Sequence, residues 1–128
     1  MSDKFTVEII SPDQTISKQE TNAVIIPSFE GQMGILNNHI PLITFLRPGI
    51  ITIKAEGEQK YYVEEGTVEF SNNNLLILTS TARDLANFDK SSINELLLKA
   101  EANLKTQSTD KERYIASYKL DTLKEISQ

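Results

Sequence analysis

The chain's 128 residues suffice for one domain, or for a small domain with an appendage, and the lack of cysteine excludes a disulfide framework and a thiolate metal site. A net charge of −5 argues against nucleic acid as the main partner, because backbone binding needs a basic face. No apolar run approaches the ~20 residues of a membrane helix, and the opening MSDKFTVEII lacks the basic-then-apolar layout of a secretory signal, so neither is expected.

The first part reads as β-structure. Phe5–Ile10 is rich in β-branched residues and predicts a strand, and Ser11-Pro12-Asp13-Gln14 is turn chemistry. Asn22–Ile26 predicts a second strand, closed by Pro27. Ile50–Lys54 follows the turn Arg47-Pro48-Gly49, and Lys60–Glu64 follows the hairpin loop Glu56-Gly57-Glu58. Thr67–Phe70 alternates, Ser71–Asn74 turns, and Leu75–Thr79 forms a buried strand. Short strands at near-regular spacing point to an antiparallel sandwich or barrel ending near residue 87. Between them, Glu30–Gly49 (EGQMGILNNHIPLITFLRPG) has a texture of its own. Composition reads it as two tight turns with one proline-edged strand; the sharper reading is a rigid recognition loop.

The second part, residues 88–128, reads as helix. From Asp89 onward there is neither glycine nor proline. Ser92-Ile93-Asn94-Glu95 and Thr109-Asp110-Lys111-Glu112 each fit a capping box, in which hydroxyl and carboxylate satisfy orphan backbone N–H groups. Ile93, Leu96, Leu97, Ala100 and Leu104 share one helical face; Tyr114, Ile115, Tyr118, Leu120, Leu123 and Ile126 form a looser set. The expectation is two helices, near 90–106 and 110–126, in an antiparallel hairpin. Residues 1–88 hold six basic and eleven acidic side chains, whereas residues 89–128 hold seven of each. Dense charge without net charge suits a solvated helical pair that must lean on the sandwich or on another protein.

No catalytic constellation is visible. The chain offers one histidine, His39, and no glycine-rich loop ahead of a helix. Glu64 and Glu65 are adjacent, so on a strand they face opposite ways and read as a solvated strand end. A single histidine without cysteine or clustered acids makes a poor metal site. No reaction class gains support, and no cofactor is expected.

Gly31-Gln32-Met33-Gly34-Ile35-Leu36-Asn37-Asn38-His39-Ile40-Pro41-Leu42, followed by Leu46-Arg47-Pro48-Gly49, resembles the pattern G-x-M-G-I-L-P-x-H-A-P-L, then L-x-P-G, of the epsilon subunits of F-type ATP synthases. Val63–Phe70 resembles that family's x-x-G-G-x-x-E-V, with Glu65 at the first glycine, and Leu75–Ala82 its V-T-V-L-A-D-x-A, with Ser80 at the aspartate. The order of parts agrees along the whole chain. The resemblance implies a non-catalytic rotor subunit at the central stalk of a proton- or sodium-translocating enzyme. Its sandwich would meet the gamma subunit and the c-ring. Its hairpin would fold down on the sandwich or extend towards the alpha and beta subunits and inhibit ATP hydrolysis. By position, Glu30, Gly31, Gln32 and Met33 would fall on the c-ring side, with Gln32 standing where relatives often carry an acid; Ser11 and His39 would fall on the gamma side or stalk. The implied location is peripheral, at the cytoplasmic face of a bacterial inner membrane, with the stromal face of a plastid thylakoid as the second choice.

Some relatives bind ATP on the hairpin through a motif close to I-D-x-x-R-A. Here Glu95–Ala100 places Leu96 at the aspartate and Lys99 at the arginine, so weak or absent ATP binding is expected, since an ammonium lacks the bidentate geometry of a guanidinium. From the residues alone, a free-standing ligand-binding sandwich with a helical dimerisation tail remains the alternative.

Overall fold

The computed structural model describes residues 4–127. In chain order these form β1 (Phe5–Ile10), β2 (Thr15–Thr21), β3 (Ala23–Ser28), β4 (Gly31–Leu36), β5 (Leu42–Leu46), β6 (Gly49–Lys54), β7 (Glu58–Val63), β8 (Gly66–Ser71), β9 (Asn74–Leu78) and β10 (Arg83–Asp84). A 3-10 turn at Leu85–Asn87 then leads to α1 (Lys90–Thr106) and α2 (Asp110–Ser127). Strands β10, β7, β6, β3 and β4 pair in that order as one layer, and β5, β8, β9, β1 and β2 as the other. The layers join where β3 leaves β6 and meets β5 at Ser28–Leu46. Most pairs are antiparallel as expected; β1 and β9 run parallel, from Thr6–Asn74 to Ile10–Leu78.

Alternation decides which side chains face inward. Phe5, Val7 and Ile9 from β1, Val24 and Ile26 from β3, and Ile51 and Ile53 from β6 are buried between the layers, where they meet Val68, Phe70, Leu75 and Ile77. Phe5 and Phe70 pack edge to face at 5.6 Å, the arrangement favoured by the ring quadrupole.

Four local expectations need correction. Strand β2, TISKQET, was not expected, because its polar composition hides a pairing set by the tight Ser11–Gln14 turn and β1. Pro27 lies inside β3 instead of closing it. It pairs with Gln32 of β4, and its carbonyl accepts from the Arg47 backbone N–H (2.9 Å) at the corner between layers. The segment from residue 30 to 49 holds two strands, β4 and β5, rather than one. Finally, α1 is capped by Asp89, whose carboxylate accepts from the Ser92 N–H at 2.7 Å, so the Ser92–Glu95 box is not used. That hydrogen bond, with help from the Ser91 hydroxyl, holds the Asp89 pKa below its usual value.

The other sites follow the sequence. The Asn72 and Asn73 backbones take positive φ at the β8–β9 turn, where asparagine is tolerated. At the start of α2, Thr109 Oγ1 accepts from the Glu112 N–H (3.1 Å) and donates to the Glu112 carboxylate (2.8 Å). The hairpin's apolar faces meet each other and the outer face of β7. Tyr62 there is fully buried against Ala100, Leu120 and Leu123.

Candidate functional site

The residues singled out by sequence do not converge on one point. The structure spreads them over two surfaces, and it adds apolar residues that the sequence reading missed.

The first surface is the β3–β4 tip. Ser28 is buried; its hydroxyl donates to the Gly31 carbonyl (2.7 Å) and accepts from the Glu30 N–H (3.2 Å). Gly31 has φ +118°, a backbone that side chains with a Cβ rarely adopt. The turn is therefore closed by its own chemistry and presents Phe29 and Glu30 outward. Thr44 Oγ1 lies 3.4 Å from the Glu30 carboxylate. Gln32 is exposed and neutral, while Met33 is half-buried against the sandwich core. Glu30, Gly31 and Gln32 thus form the turn's tip, with Met33 half-buried behind it.

The second surface is the outer face of the layer built on β5, β8, β9 and β1. Phe45 pairs with Thr67, Thr67 with Leu78, and Leu78 with Ile10, so these four side chains form one row across the sheet. Ile43, Glu69, Leu76 and Glu8 form the next row. Ile43 is 69% exposed, Phe45 59% and Leu78 45%. Ser11 borders the Phe45 end, next to Ile10 and Leu78, and spends its hydroxyl on its own turn with Gln14. His39 borders the other end. Its ring sits edge-on to Phe70 at 5.9 Å, and its Nδ1 contacts the Ile40 carbonyl at 2.7 Å. The loop carrying it is pinned by a reciprocal pair: Asn73 Oδ1 accepts from the Asn38 N–H (2.8 Å), and Asn73 Nδ2 donates to Asn38 Oδ1 (3.0 Å). Ile40, 75% exposed, projects from that loop. Ser11 and His39 therefore lie at opposite ends of a face whose exposed apolar side chains, Ile43, Phe45 and Leu78, are interspersed with Thr67 and Glu69, with Ile40 on the adjoining loop.

The signal for that patch was present in the sequence. Leu42-Ile43-Thr44-Phe45-Leu46 is apolar at both parities, which in a strand means that both faces seek cover. The face with Thr44 and Leu46 is buried, whereas Ile43 and Phe45 stay exposed, Phe45 beside Phe29 and Ile115 of α2.

Elsewhere, Glu64 is not the solvated strand end expected. It accepts from the Tyr62 hydroxyl (3.0 Å) and pairs with Lys119 of α2 (3.3 Å). Burial, followed by the nearby Glu64 charge, raises the Tyr62 pKa far above its usual value, so this phenol stays protonated. Glu65 is exposed. Among the described residues no group of histidine, cysteine or acidic side chains could hold a metal ion, and no helix is long and apolar enough to cross a membrane. At the ATP-motif position, Lys99 pairs at 3.8 Å with Glu95 on a solvated face, and Arg113 Nε donates to the Gln107 carbonyl (3.1 Å).

A β-sandwich followed by a docked helical pair, with its open apolar patch on the sandwich, defines a small subunit-type module. Comparison with known proteins makes this specific. Residues 4–84 match the family model described as ATP synthase, Delta/Epsilon chain, beta-sandwich domain. The chain is 47% identical to the ATP synthase epsilon chain of Pelagibacter ubique, covering 99% of this chain and 100% of that one. It is 32% identical to that of Parvibaculum lavamentivorans (98% and 97% covered), and 34% identical to the chloroplastic epsilon chain of Pyropia yezoensis (91% and 87%). The chain belongs to the ATP synthase epsilon family. In fold it resembles a chain of the Euglena gracilis mitochondrial ATP synthase, with a TM-score of 0.80 at 21% identity, covering 100% of this chain and 84% of that one. It also resembles a chain from the central stalk and c-ring structure of the Tetrahymena thermophila enzyme, with a TM-score of 0.69 at 15% identity, 96% of each covered.

Proposed function

We propose that this chain is a non-catalytic rotor subunit, attached to the gamma subunit through the Ile40–Ile43–Phe45–Leu78 patch and to the c-ring through the Glu30–Gln32 tip. The observation that carries this reading is the patch itself. Large apolar side chains standing together on one open sheet face mark a protein contact, and the patch lies between Ser11 and His39, the positions assigned to the stalk by family resemblance. The tip, closed by Ser28, presents the Glu30 carboxylate and the neutral Gln32 amide and is suited to meeting polar loops. Gln32 offers an amide there in place of a charge, so hydrogen bonds from that amide join the Glu30 charge in the contact.

In this reading ion-driven rotation passes through the sandwich, residues 1–87, while the hairpin, residues 88–128, regulates. Folded down, it covers Tyr62; extended, it reaches the alpha and beta subunits and restrains ATP hydrolysis. The subunit works peripherally, at the cytoplasmic face of a bacterial inner membrane, and needs neither cofactor nor ATP for its structural role. The test is recovery of a tagged chain from native membranes. Co-purification of gamma and c subunits supports the proposal; recovery of a homodimer alone refutes it. Hydrolysis by the assembled enzyme, with and without residues 88–128, tests the hairpin's part: a rise on removal is expected.

A further inference from the structure

The outermost strands of the sandwich are not equally guarded. Soluble sheets usually blunt an open edge with short strands, charges, prolines or bulges, because a row of free backbone groups invites another strand. β10 is two residues long. β2 carries Lys18 and Glu20, and its pairing with β1 slips at Ile9–Ile10. β4 has none of these devices. Its residues, GQMGIL, hold neither charge nor proline, pair with β3 in unbroken register, and meet no further strand among the described residues. Pro27 shows which of its groups are free. The Pro27 carbonyl accepts from the Arg47 N–H, so Pro27 turns its backbone away from β4, and its partner Gln32 turns away from β3. Alternation then directs the N–H and C=O groups of Gln32, Gly34 and Leu36 outward, while Met33 and Ile35 bond to β3. The Leu36 carbonyl accepts from the His39 N–H at 3.1 Å, as that direction requires. The backbone groups of Gln32 and Gly34 have no partner among the described residues.

We propose that the open edge of β4 is a strand-addition site, at which an extended segment of the gamma subunit pairs with Gln32, Gly34 and Leu36. This rests on the proposed attachment to gamma and gives it a backbone geometry. Continuity selects the occupant. The edge starts at the tip and ends at Leu36, which is 60% exposed and tied to the loop of His39 and Ile40, so it runs into the apolar face assigned to gamma. In such a pairing the main chain supplies the hydrogen bonds and alternate side chains supply selectivity. On the inner side, Met33 is half-buried at the margin of the core and fits an apolar neighbour. On the outer side, nothing lies within 4 Å of the point where a Gly34 Cβ would stand, which leaves room for a large side chain crossing it. The matching segment is therefore extended, free of proline where it pairs, and apolar at the residue beside Met33. An uncharged edge is a hazard in a lone sheet but is safe once a partner strand covers it, which accounts for the missing guards on β4.

Residue-resolved hydrogen exchange of the full-length chain, alone and with purified gamma subunit, tests the site. Alone, exchange should alternate, fast at Gln32, Gly34 and Leu36 and slow at Met33 and Ile35. In the complex the alternation should vanish, because the outward amides slow roughly tenfold or more. Alternation that persists in a complex that forms overturns strand addition and leaves docking through Phe45 standing. Gly34→Pro removes one outward donor and sets a ring on the edge, at a position that gives β3 no hydrogen bond. It should weaken gamma binding roughly tenfold, the size of one or two lost hydrogen bonds, in a chain that a melt shows to be folded. Wild-type affinity of the folded variant overturns the proposal; if the variant does not fold, the exchange comparison on the wild-type chain decides alone. Loss of alternation when the chain is concentrated without gamma gives the edge to a second copy and overturns gamma as its occupant. Failure of the wild-type chain to bind gamma at all overturns the attachment to gamma and this site with it.

Discussion

Replacing Phe45 by alanine tests the sandwich's docking against a measured change in its stability. A phenylalanine that becomes fully buried hides about 150–250 Å². Phe45 is 59% exposed, so roughly 100 Å² is open for a partner to cover. At about 25 cal/mol per Å² this is worth about 2.5 kcal/mol, and allowing for the carbon that alanine retains, the loss on substitution is about 2 kcal/mol. That corresponds to roughly 30-fold weaker binding. The side chain points away from the inter-layer core, where Thr44 and Leu46 are buried instead, but its covered part, roughly 80 Å² by the same reckoning, lies beside Phe29 and Ile115, so folding should lose about 1–2 kcal/mol. The assay is titration of the purified variant against the gamma subunit, paired with a thermal melt. Wild-type affinity in a variant that the melt shows to be folded would refute the patch as the docking face. Ile43→Ala serves as an independent probe on the neighbouring row.

Three other outcomes are expected. Gly66→Ala should destabilise the sandwich by about 1–3 kcal/mol, because an added Cβ would lie 2.7 Å from the Leu78 carbonyl oxygen and 2.9 Å from Leu46 Cδ1; a melt matching wild type contradicts this. A fragment ending at Asn87 should unfold cooperatively, since the inter-layer core draws only on residues before that point; a broad, non-cooperative melt would show that the hairpin is needed. Calorimetric titration with ATP and Mg²⁺ should give weak or no binding, because Lys99 is engaged with Glu95 and Lys119 with Glu64; a micromolar dissociation constant would count against it.

The elements legible in the sequence are those whose signal is local. Both helices were placed from their apolar period and Thr109–Glu112, and the Asn72–Asn73 turn from asparagine's tolerance of positive φ. Strand β2 was not legible, because its apolar cue is weak and its place is set by β1 across the turn. β4 and β5 were concealed for a different reason. Their glycines and prolines read as turn signals, yet Gly34 lies in an ordinary strand pair with Ile25, and Pro27 uses a position where only its carbonyl is required. Of the candidate site, the family motif led to the tip and to the two ends of the patch. The patch itself depends on which parity of β5 faces inward. The two apolar parities of β5 signal that one apolar face stays open, and pairing with its neighbours decides which.

The seam between hairpin and sheet is built so that parting it leaves few polar groups stranded. Tyr62 supplies the fully buried apolar surface on the sheet side. Its hydroxyl donates to Glu64, only two residues away on the same chain segment, so that bond can leave with the sheet intact when the helices depart. Lys119 and Glu64 retain about a quarter of their side-chain exposure while paired, and both regain water on separation. Separation therefore mainly costs apolar area, from Tyr62, Leu120 and Leu123, without the larger penalty of an orphaned buried charge or hydrogen bond. Arg47 fits the same pattern. It lends its guanidinium to Tyr114 and Tyr118 while its backbone stays tied to Pro27, so it would stay in position if α2 left, as the proposed regulation requires. A contact of this kind is compatible with two discrete arrangements, which the proposed regulation by hairpin position would require.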